Sequence, residues 1–412
     1  MAKEENSLIT KILAEEIKDS RGNPTIKVTV WAGGISGNFS VPSGVSTGVH
    51  EAHELRDADG KGVKTAIEKV NSMIAPALAG KNVLSQKEID GIMIELDGTQ
   101  NKDNLGANSM VGVSIACAKA AAKLKKQEVY QYLRTLCEIK SSRNAPYLFM
   151  NLLEGGKHSA SNLAFQEYHV VPETENTQEA VDIGNKIQNT LTEILLKNLD
   201  SKSAVLGDEG GFVPQTNDVR KPLLFLAEAV NKNNLQNKVR FALDVAASSF
   251  YRDGHYQVAS KDISSSELMN IYDSLIKEFN LFSIEDPFNE EDFDNFKKLK
   301  DKNKNLLVVG DDLTVSNRAL LEQAIDKGSI NAIIIKPNQI GTLSEMFLTM
   351  QLARANGIEI IVSHRGRETN DDFIADLAFA FGCFGLKTGS PLKPERMVKY
   401  QRLIKIARSI NQ

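Results

Sequence analysis

The chain has 412 residues, of which 42% are hydrophobic and 25% charged, an ordinary composition for a globular protein long enough for two domains. A formal net charge of -4 gives no electrostatic basis for binding nucleic acid or an anionic membrane, and neither is expected as a partner. Three scattered cysteines, no apolar run of membrane-spanning length and no signal-peptide pattern together favour a cytoplasmic protein.

The first section of the chain mixes strand and helix patterns. Residues 25–31 (TIKVTVW) alternate between apolar and polar side chains and predict a half-buried strand, and the glycine-rich stretch after them predicts a hairpin. Residues 109–124 are small and apolar on all sides, which predicts a buried helix. We therefore predict a small α+β domain over residues 1–140 and a second domain over residues 141–412, packed closely because no linker-like stretch separates them.

The rest of the chain repeats one pattern, in which a β-like apolar run ends in a polar or charged residue and a helical segment follows. Runs that are almost continuously apolar are typical of parallel strands buried on both faces. The steps between successive polar residues are 41, 26, 25, 28 and 23, and most of them match one βα unit. The pattern predicts a TIM-type (β/α)8 barrel of the α/β class, whose strand ends carry the active site. The residues at these strand ends are Asp244, Glu285, Asp311, Lys336, His364 and Lys387.

Three carboxylates at the mouth of one barrel would repel one another unless a cation neutralised them. Asp244, Glu285 and Asp311 offer oxygen ligands only, and such a set selects a hard ion, Mg²⁺ before zinc or copper. Pairing with the nearby lysines is the alternative way of satisfying this charge. Lys336 follows a very apolar run, so burial and a nearby cation are expected to lower its pKa. It would then act as a base on a proton beside a metal-bound carboxylate.

Further stretches present polar residues on glycine-rich or flexible loops. LGDEGGFVP carries an acid on a tight loop, GGKH carries a histidine, and AFQEYHVVP is interpreted as a strand-like run that ends in its Gln-Glu pair. The small-residue loop over residues 41–57 is interpreted as a lid whose Ser46 reaches a ligand. SHRGRE crowds basic residues at the end of the apolar run 358–362. The candidate residues in these stretches are His158, Gln166, Glu167, Glu209 and Arg365.

Taken together, these motifs resemble the enolase family over nearly the whole chain. DSRGNPT, VPSGVSTGVHEAHELRD and LDGTQNKDNLGANS come in order in the first section, and QEY, VLGDEGGFVP, ALDVAASSFY, SIEDPF, GDDLTV, KPNQIGTLSE, SHR and KTGSP follow in the second. The resemblance implies a modified (β/α)8 TIM-type barrel with a smaller N-terminal α+β domain. It also implies a lyase, phosphopyruvate hydratase, which reversibly dehydrates 2-phosphoglycerate to phosphoenolpyruvate in glycolysis and gluconeogenesis.

The resemblance implies two Mg²⁺ ions at the site. One tightly held, structural ion would sit on Asp244, Glu285 and Asp311. A second ion would arrive with the substrate, bridge its carboxylate and phosphate, and be joined by Ser46. The pattern of strand ends by itself predicts only a cation among the carboxylates.

The resemblance also implies the roles of the remaining site residues. Lys336 would remove the proton from C2, Glu209 would assist departure of the C3 hydroxyl, and Glu167 would support Glu209. Arg365 would bind the phosphate. The other substrate-binding residues would be His158, Gln166, His364, Gly366 and Lys387.

The chain departs from the usual enolase pattern beside the phosphate. The family commonly reads SHRSGE where this chain reads SHRGRE, so Gly366 replaces a serine and keeps only its backbone N–H, while Arg367 replaces a glycine. Ser249 replaces a usual glutamate. We expect Arg367 to compensate for the missing hydroxyl by reaching the phosphate or by ordering the loop. The departures at Gly366 and Arg367 keep open the alternative of a related metal-dependent acid dehydratase with a shifted substrate. A non-catalytic binding protein on the enolase fold is a further alternative, although the essential charged residues are all present.

A further departure concerns assembly. Enolases commonly pair as homodimers through an ion pair between a strand glutamate and an arginine near the C-terminus, and the matching residues here are Lys27 and Lys405. Two like charges cannot form that pair. A homodimer then depends on other contacts, since one surface ion pair contributes only about 0–1 kcal/mol.

Overall fold

Among the described residues, a three-stranded antiparallel sheet with its helices is followed by a closed eight-stranded barrel. The computed structural model describes residues 7–45, 48–141, 143–159, 161–199 and 201–410. Ser46 lies outside these residues, and His158 is described by its backbone alone. Within the described ranges, no helix combines the length and hydrophobicity needed to cross a membrane.

The N-terminal sheet consists of β1 (Ile9–Lys18), β2 (Pro24–Ala32) and β3 (Ile35–Ser40), paired antiparallel in that order. Side chains along β2 alternate between buried and partly exposed, which confirms the strand predicted over residues 25–31. The turn between β2 and β3 uses two glycines at positive φ, a backbone conformation that other residues rarely adopt. The predicted hairpin is therefore confirmed as well.

In the described part of the chain, five helices follow this sheet, and the longest of them packs most closely against it. They are α1 (Lys64–Lys69), α2 (Ala75–Leu78), α3 (Gln86–Asp97), α4 (Ala107–Leu124) and α5 (Val129–Leu136), with a π-helical turn at Val70–Ile74. Almost every residue of α4 is buried, which confirms the helix predicted over residues 109–124. It lies so close to β3 that a Cβ at Gly37 would be 2.2 Å from the Ala120 nitrogen.

Strands and helices alternate in the second part of the chain. Its elements in chain order are β4 (Tyr147–Glu154), β5 (Glu167–Pro172), α6 (Thr177–Asn198), α7 (Lys221–Lys232), β6 (Val239–Asp244), β7 (Tyr251–Arg252), β8 (His255–Val258), β9 (Lys261–Ile263), α8 (Ser265–Phe279), β10 (Ser283–Glu285), α9 (Phe293–Lys302), β11 (Leu307–Gly310), α10 (Arg318–Lys327), β12 (Ala332–Ile335), α11 (Leu343–Ala355), β13 (Glu359–Ser363), α12 (Phe373–Ala380), β14 (Gly385–Lys387) and α13 (Pro394–Ile410). β7, β8 and β9 form a small sheet of their own. The other strands close in the order β10-β11-β12-β13-β14-β4-β5-β6, so the predicted TIM-type barrel is confirmed.

One barrel strand runs against the others. β5 pairs antiparallel with both β4 and β6, whereas the other neighbouring strands of the barrel pair in parallel. The first residue of β5 therefore lies at the rim where its neighbours end. Gln166 precedes β5 and Glu167 begins it, so the interpretation that they end a strand is wrong. They reach the barrel mouth because their strand is reversed.

Apolar side chains fill the barrel below its mouth and confine the charged residues to one layer at the strand ends. This inner core consists of Phe149, Val171, Ala242, Val309, Ala332, Ile334 and Ile361. All seven side chains are buried and belong to barrel strands. The charged layer thus lies on apolar side chains that exclude water, which lowers the local dielectric constant and strengthens the charge interactions in that layer.

Candidate active site

The rim of the barrel brings Lys387 into contact with three buried carboxylates. Asp244 is the register partner of Glu285 in the parallel pair and of Glu167 in the antiparallel pair. The Lys387 ammonium lies 2.7 Å from Asp244 Oδ2 and 2.8 Å from Glu285 Oε1. Its distance to Glu167 Oε1 is 3.2 Å. Burial disfavours the ammonium, but the carboxylates outweigh burial and raise the pKa of Lys387 well above its ordinary value.

A second lysine pairs with the third predicted metal ligand. Asp311 follows β11 and Lys336 follows β12, and the Lys336 ammonium contacts Asp311 Oδ2 in a short ion pair. Gln339 Nε2 donates to Asp311 Oδ1 at 3.4 Å. Burial alone would lower the pKa of Lys336, but the Asp311 carboxylate reverses the shift and the pKa lies above its ordinary value. The ion pair with Asp311 thus opposes the lowered pKa that was predicted for Lys336 beside a cation, and that lowering stays a prediction.

Pairing with lysines, the alternative to a metal, occurs at both of these positions, but it does not stabilise the charged form of every carboxyl group in the layer. Burial, and then the Asp244 carboxylate, raise the pKa of Glu285 well above its usual range. Burial and the Asp311 carboxylate raise the pKa of Asp312 to about 8. Within the described residues, the buried Gln166 Oε1 has no hydrogen-bond donor. A hard divalent cation such as Mg²⁺ would stabilise the charged form of these carboxyl groups and could also take the amide oxygen as a ligand.

Two acids beside the predicted ligands also belong to this layer. Asp286 follows Glu285, and Asp312 follows Asp311, and oxygen atoms of Asp286, Asp311 and Asp312 lie within 4.8 Å of one another. Asp286 accepts hydrogen bonds from the backbone N–H groups of Asp311 at 3.0 Å and Asp312 at 2.7 Å, so it fixes the chain where β11 ends. Sequence reasoning assigned one acid to each strand end. The second acid of each doublet, Asp286 after Glu285 and Asp312 after Asp311, was the signal that this reasoning did not use.

The Glu209 carboxylate contacts two polar side chains, one at each of its oxygen atoms. His364 Nε2 lies 3.3 Å from Glu209 Oε1, and Asn151 Nδ2 donates to Glu209 Oε2 at 3.2 Å. On the other side of the imidazole, the Arg396 guanidinium contacts His364 Nδ1. A guanidinium can only donate, so Nδ1 accepts and the hydrogen of the ring lies on Nε2, facing Glu209. Burial, assisted by the Arg396 cation, lowers the pKa of His364 to about 3, so the ring is neutral.

Two further buried residues support this corner of the site. Glu154 ends β4, and its Oε1 accepts hydrogen bonds from the backbone N–H groups of Glu209 at 3.0 Å and Gly211 at 2.6 Å. These bonds fix the loop that carries Glu209. His169 Nε2 lies 2.9 Å from Glu167 Oε2, and burial lowers the pKa of His169 to about 3. Sequence reasoning missed Glu154 and His169, although each adjoins a motif that it singled out.

Arg365 is held at the mouth by a carboxylate from the N-terminal part of the chain. Both of its terminal nitrogens lie 2.9 Å from Glu51 Oε2, and Nη1 donates to Asn338 Oδ1 at 3.1 Å. Because Glu51 belongs to the loop over residues 41–57, this ion pair joins that loop to the barrel. Neither Glu51 nor Asn338 was predicted, since nothing in the spacing distinguishes Glu51 from the other acids of VHEAHELRD.

Most of the predicted site residues line one cavity at the barrel mouth. Its free volume is about 20 Å³, room for one water molecule. An organic acid can bind there only if the surrounding side chains or the loop over residues 41–57 shift. Glu285 is not among the residues that line this cavity, but it accepts a hydrogen bond from Lys387, which does line it. The predicted residues that line the cavity are Gln166, Glu167, Glu209, Asp244, Asp311, Lys336, His364, Arg365, Gly366 and Lys387.

Comparison with known families covers nearly the whole chain. The enolase N-terminal domain model matches residues 9–133, and the enolase C-terminal TIM barrel domain model matches residues 142–412. The chain belongs to the enolase family. Each of the two family models falls on one of the two parts of the structure, the helix-covered sheet and the barrel.

Enolases of archaea are similar to the chain over its full length. The enolase of Methanocaldococcus jannaschii is 45% identical over 408 residues, which cover 98% of this chain and 95% of the relative. The enolases of Methanosarcina barkeri and Methanosarcina acetivorans are 44% and 43% identical over 411 residues, with the same shares covered. The enolase fold and function predicted from the motifs are therefore confirmed.

Membership in the family defines the class of activity. Enolases are lyases, phosphopyruvate hydratases, and the family uses Mg²⁺. The acidic groups at the mouth of this barrel could hold such an ion, because their donors are carboxyl oxygens whose charged form the two lysines do not fully stabilise. As an enolase, the chain takes a small-molecule substrate.

Proposed function

We propose that this enolase binds 2-phosphoglycerate at the barrel mouth and forms phosphoenolpyruvate with Lys336 as the base and Glu209 as the acid. The observation that carries the proposal is that both residues line one cavity, although they come from different loops. Lys387 and Arg365 line the same cavity and supply positive charge for an anionic substrate. An elimination needs a base and an acid on one substrate, and this cavity offers both.

The base must be a neutral amine when it removes the proton at C2. Lys336 is held as an ammonium by Asp311, so this ion pair has to be weakened before catalysis. Asp244, Glu285 and Asp311 are the residues that would hold Mg²⁺, and the ion when bound neutralises carboxylate charge and polarises the substrate carboxylate. Once Asp311 no longer stabilises the ammonium, burial favours the neutral form of Lys336.

The acid must carry a proton when the C3 hydroxyl leaves. Burial, and then the Glu209 carboxylate, raise the pKa of Glu154 well above its usual range. The charge of Glu167 acts in the same direction, so these close carboxyl groups favour keeping a proton among them. Asn151 and His364 fix the orientation of the Glu209 carboxyl group. Glu167 is the proposed support for Glu209.

The phosphate is proposed to bind Arg365. Its guanidinium already holds a carboxylate through two nitrogens, and phosphate offers the same planar pair of acceptors. Gly366 would add its backbone N–H. The remaining contacts with the substrate are assigned to His158, Gln166, His364 and Lys387, and a second Mg²⁺ joined by Ser46 is part of the same proposal.

The assembly and location of the enzyme are also proposals. Lys27 Nζ already bonds Glu15 Oε1 at 3.1 Å across the β1–β2 pair, and Lys405 lies exposed on α13. A homodimer would therefore rest on contacts other than the ion pair that is common among enolases. A cytoplasmic location is supported by the free thiols of the chain, of which Cys117 and Cys383 are buried.

An absorbance assay tests the proposed reaction. Purified protein with 2-phosphoglycerate should produce the rising ultraviolet absorbance of phosphoenolpyruvate when Mg²⁺ is present and none after chelation. Competition with phosphorylated and unphosphorylated 2-hydroxy acids tests the alternative of a shifted substrate. Failure of 2-phosphoglycerate to compete would favour that alternative, and absence of any turnover would favour the non-catalytic one.

A further inference from the structure

The backbone of residues 364–367 is held rigidly from below. Arg396 is fully buried, and it donates to the carbonyl oxygens of Arg365 at 2.8 Å and Gly366 at 3.0 Å while contacting the His364 ring. The backbone N–H of Arg365 donates to the buried Glu368 carboxylate at 3.2 Å. With this many hydrogen bonds to buried charged groups, the loop has little freedom to shift.

The segment 43–45 lies directly on this loop. The backbone N–H groups of Ser43 and Arg367 each donate to the carbonyl oxygen of the other at 3.0 Å, which forms a short antiparallel bridge. Two residues further on, the half-buried Val45 side chain lines the same cavity as Arg365. Val45 is thus part of the wall beside the proposed phosphate ligand.

Val45 occupies the space that a side chain at residue 366 would need. A Cβ at Gly366 would lie 2.7 Å from Val45 Cγ2 and 3.2 Å from Val45 Cβ, and contacts below 3.0 Å force something to move. The φ angle of Gly366 is not in the left-handed region, so its backbone conformation does not require glycine. What excludes a side chain here is the valine opposite.

We propose that Val45 and Gly366 form a complementary pair, in which the absence of a side chain at 366 lets Val45 seat against the loop and shape the cavity wall beside Arg365. Val45 is a positioning residue that acts on substrate binding through the placement of the segment 43–45. Gly366, beside the backbone N–H proposed for the phosphate, contributes by leaving the space that Val45 occupies. Gly366 is then a requirement set by Val45 and not simply a lost hydroxyl group. The predicted effect on substrate binding rests on the proposed function, whereas the packing of Val45 against Gly366 does not depend on it.

The test compares Gly366→Ser with the double variant Val45→Ala, Gly366→Ser. The serine alone should push Val45 off the loop and raise the KM for 2-phosphoglycerate about tenfold, with a much smaller change in kcat. Removing the valine methyl groups makes room for the serine, so the double variant should return to within about threefold of the wild-type KM. Gly91→Ser, at an exposed helix position with open space around it, is the matched control and should leave KM unchanged.

Hydrogen exchange at the Ser43 and Arg367 amides gives a readout that does not depend on activity. Exchange should accelerate in Gly366→Ser, because displacing Val45 strains the bridge, and slow again in the double variant. Wild-type KM and exchange rates in Gly366→Ser would overturn the proposal, and so would a failure of Val45→Ala to reverse both changes. If the wild-type protein does not turn over 2-phosphoglycerate, the proposed function fails. The exchange measurements would still test whether Val45 packs against Gly366 as proposed.

Discussion

The Lys336 ammonium and the Asp311 carboxylate are in direct contact at the barrel mouth, where both side chains are largely buried. Losing one partner of a buried ion pair leaves the other charge without a counter-ion, which is strongly unfavourable. The pair therefore links two properties that are usually measured separately, the activity of the enzyme and the stability of its fold.

Replacing Lys336 with alanine is expected to abolish formation of phosphoenolpyruvate, because the proposed base is removed. Without Mg²⁺ the melting temperature should also fall, since breaking a buried pair costs about 3–5 kcal/mol, and added Mg²⁺ should restore part of this loss. Lys297→Ala removes an exposed lysine that bonds Asp301 at 2.7 Å, and it should change stability by less than about 0.5 kcal/mol. Turnover by Lys336→Ala would exclude Lys336 as the base.

Magnesium is expected to raise the unfolding temperature of the wild-type protein as well as to switch on its activity. The proposed ligands converge only in the folded barrel, and an ion bound to the native state alone adds about 2.7 kcal/mol at a hundred times its dissociation constant. Glu285→Gln should lose most of this shift, because it removes a proposed ligand. Asp262→Asn, at an exposed carboxylate of β9, should keep the full shift. Equal shifts in the two variants would count against Glu285 as a ligand.

The neutral ring of His364 predicts how stability depends on pH. An unfolded histidine has a pKa of about 6.5, whereas burial lowers the pKa of His364 to about 3. Between these values the unfolded chain binds a proton that the native protein does not. The contribution of His364 is therefore complete above pH 6.5 and is lost as the pH falls toward 3, by about 1.4 kcal/mol per pH unit.

Denaturant unfolding at pH 8 and pH 5 checks this expectation. The stability lost between the two pH values should be about 2 kcal/mol smaller in His364→Gln than in the wild-type protein, because the variant lacks this titrating group. His255→Gln removes an exposed histidine and should leave the loss unchanged. Parallel pH curves for His364→Gln and the wild type would show that the pKa of His364 is the same in the native and the unfolded protein, and would contradict the lowered pKa.

Arg367→Gly should raise the KM for 2-phosphoglycerate several-fold with little effect on kcat, as expected if the guanidinium compensates for the hydroxyl missing at Gly366. Glycine retains the backbone bridge to Ser43, so the variant isolates the side chain. The Arg367 side chain is half-buried, and its Nε has no partner among the described residues, so it has a donor to offer. Arg367→Lys keeps the charge and should lose less. An unchanged KM in Arg367→Gly would make Arg367 a surface residue.

Lys27→Glu tests the proposal about assembly. The new glutamate would have the charge needed to pair with Lys405 of a second copy, so self-association at low salt should tighten up to about fivefold, the equivalent of a 0–1 kcal/mol surface pair. The same change puts two acids opposite each other in the β1–β2 register, because Glu15 faces residue 27, and should cost about 0.2–1 kcal/mol of stability. Sedimentation with Lys27→Gln as the control measures the association. Equal association of the two variants would show that this pair has no role.

The sequence predicted the parallel part of the barrel because each strand carries its own local mark. In each case the apolar run indicates a strand, and the charged residue that follows indicates that the strand ends at the barrel mouth. Asp244, Lys336 and Lys387 are examples of such residues. The reversal of β5 leaves no such mark, since a buried strand has the same composition in either direction. Glu167 lines the cavity at the barrel mouth, but it was predicted at the wrong end of its strand.

Residues that act through long-range contacts escaped prediction. Arg396 lies on the final helix, where a charged residue ordinarily marks the solvent-facing side, yet it is fully buried and reaches the His364 ring. Glu51 is one of several acids in its loop, and only the folded chain selects it as the partner of Arg365. Such roles depend on which distant segments meet, and one sequence does not contain that information in local form.

Lys387, set among Asp244, Glu285 and Glu167, has a consequence for how the protein is made. Small domains built around a structural zinc stay unfolded until the metal arrives, because metal binding supplies the free energy of folding. Here Lys387 supplies positive charge to carboxylates that include two of the proposed magnesium ligands as soon as the barrel closes. A newly synthesised chain can therefore complete its fold before it meets magnesium, and loading the metal becomes a later, separate step.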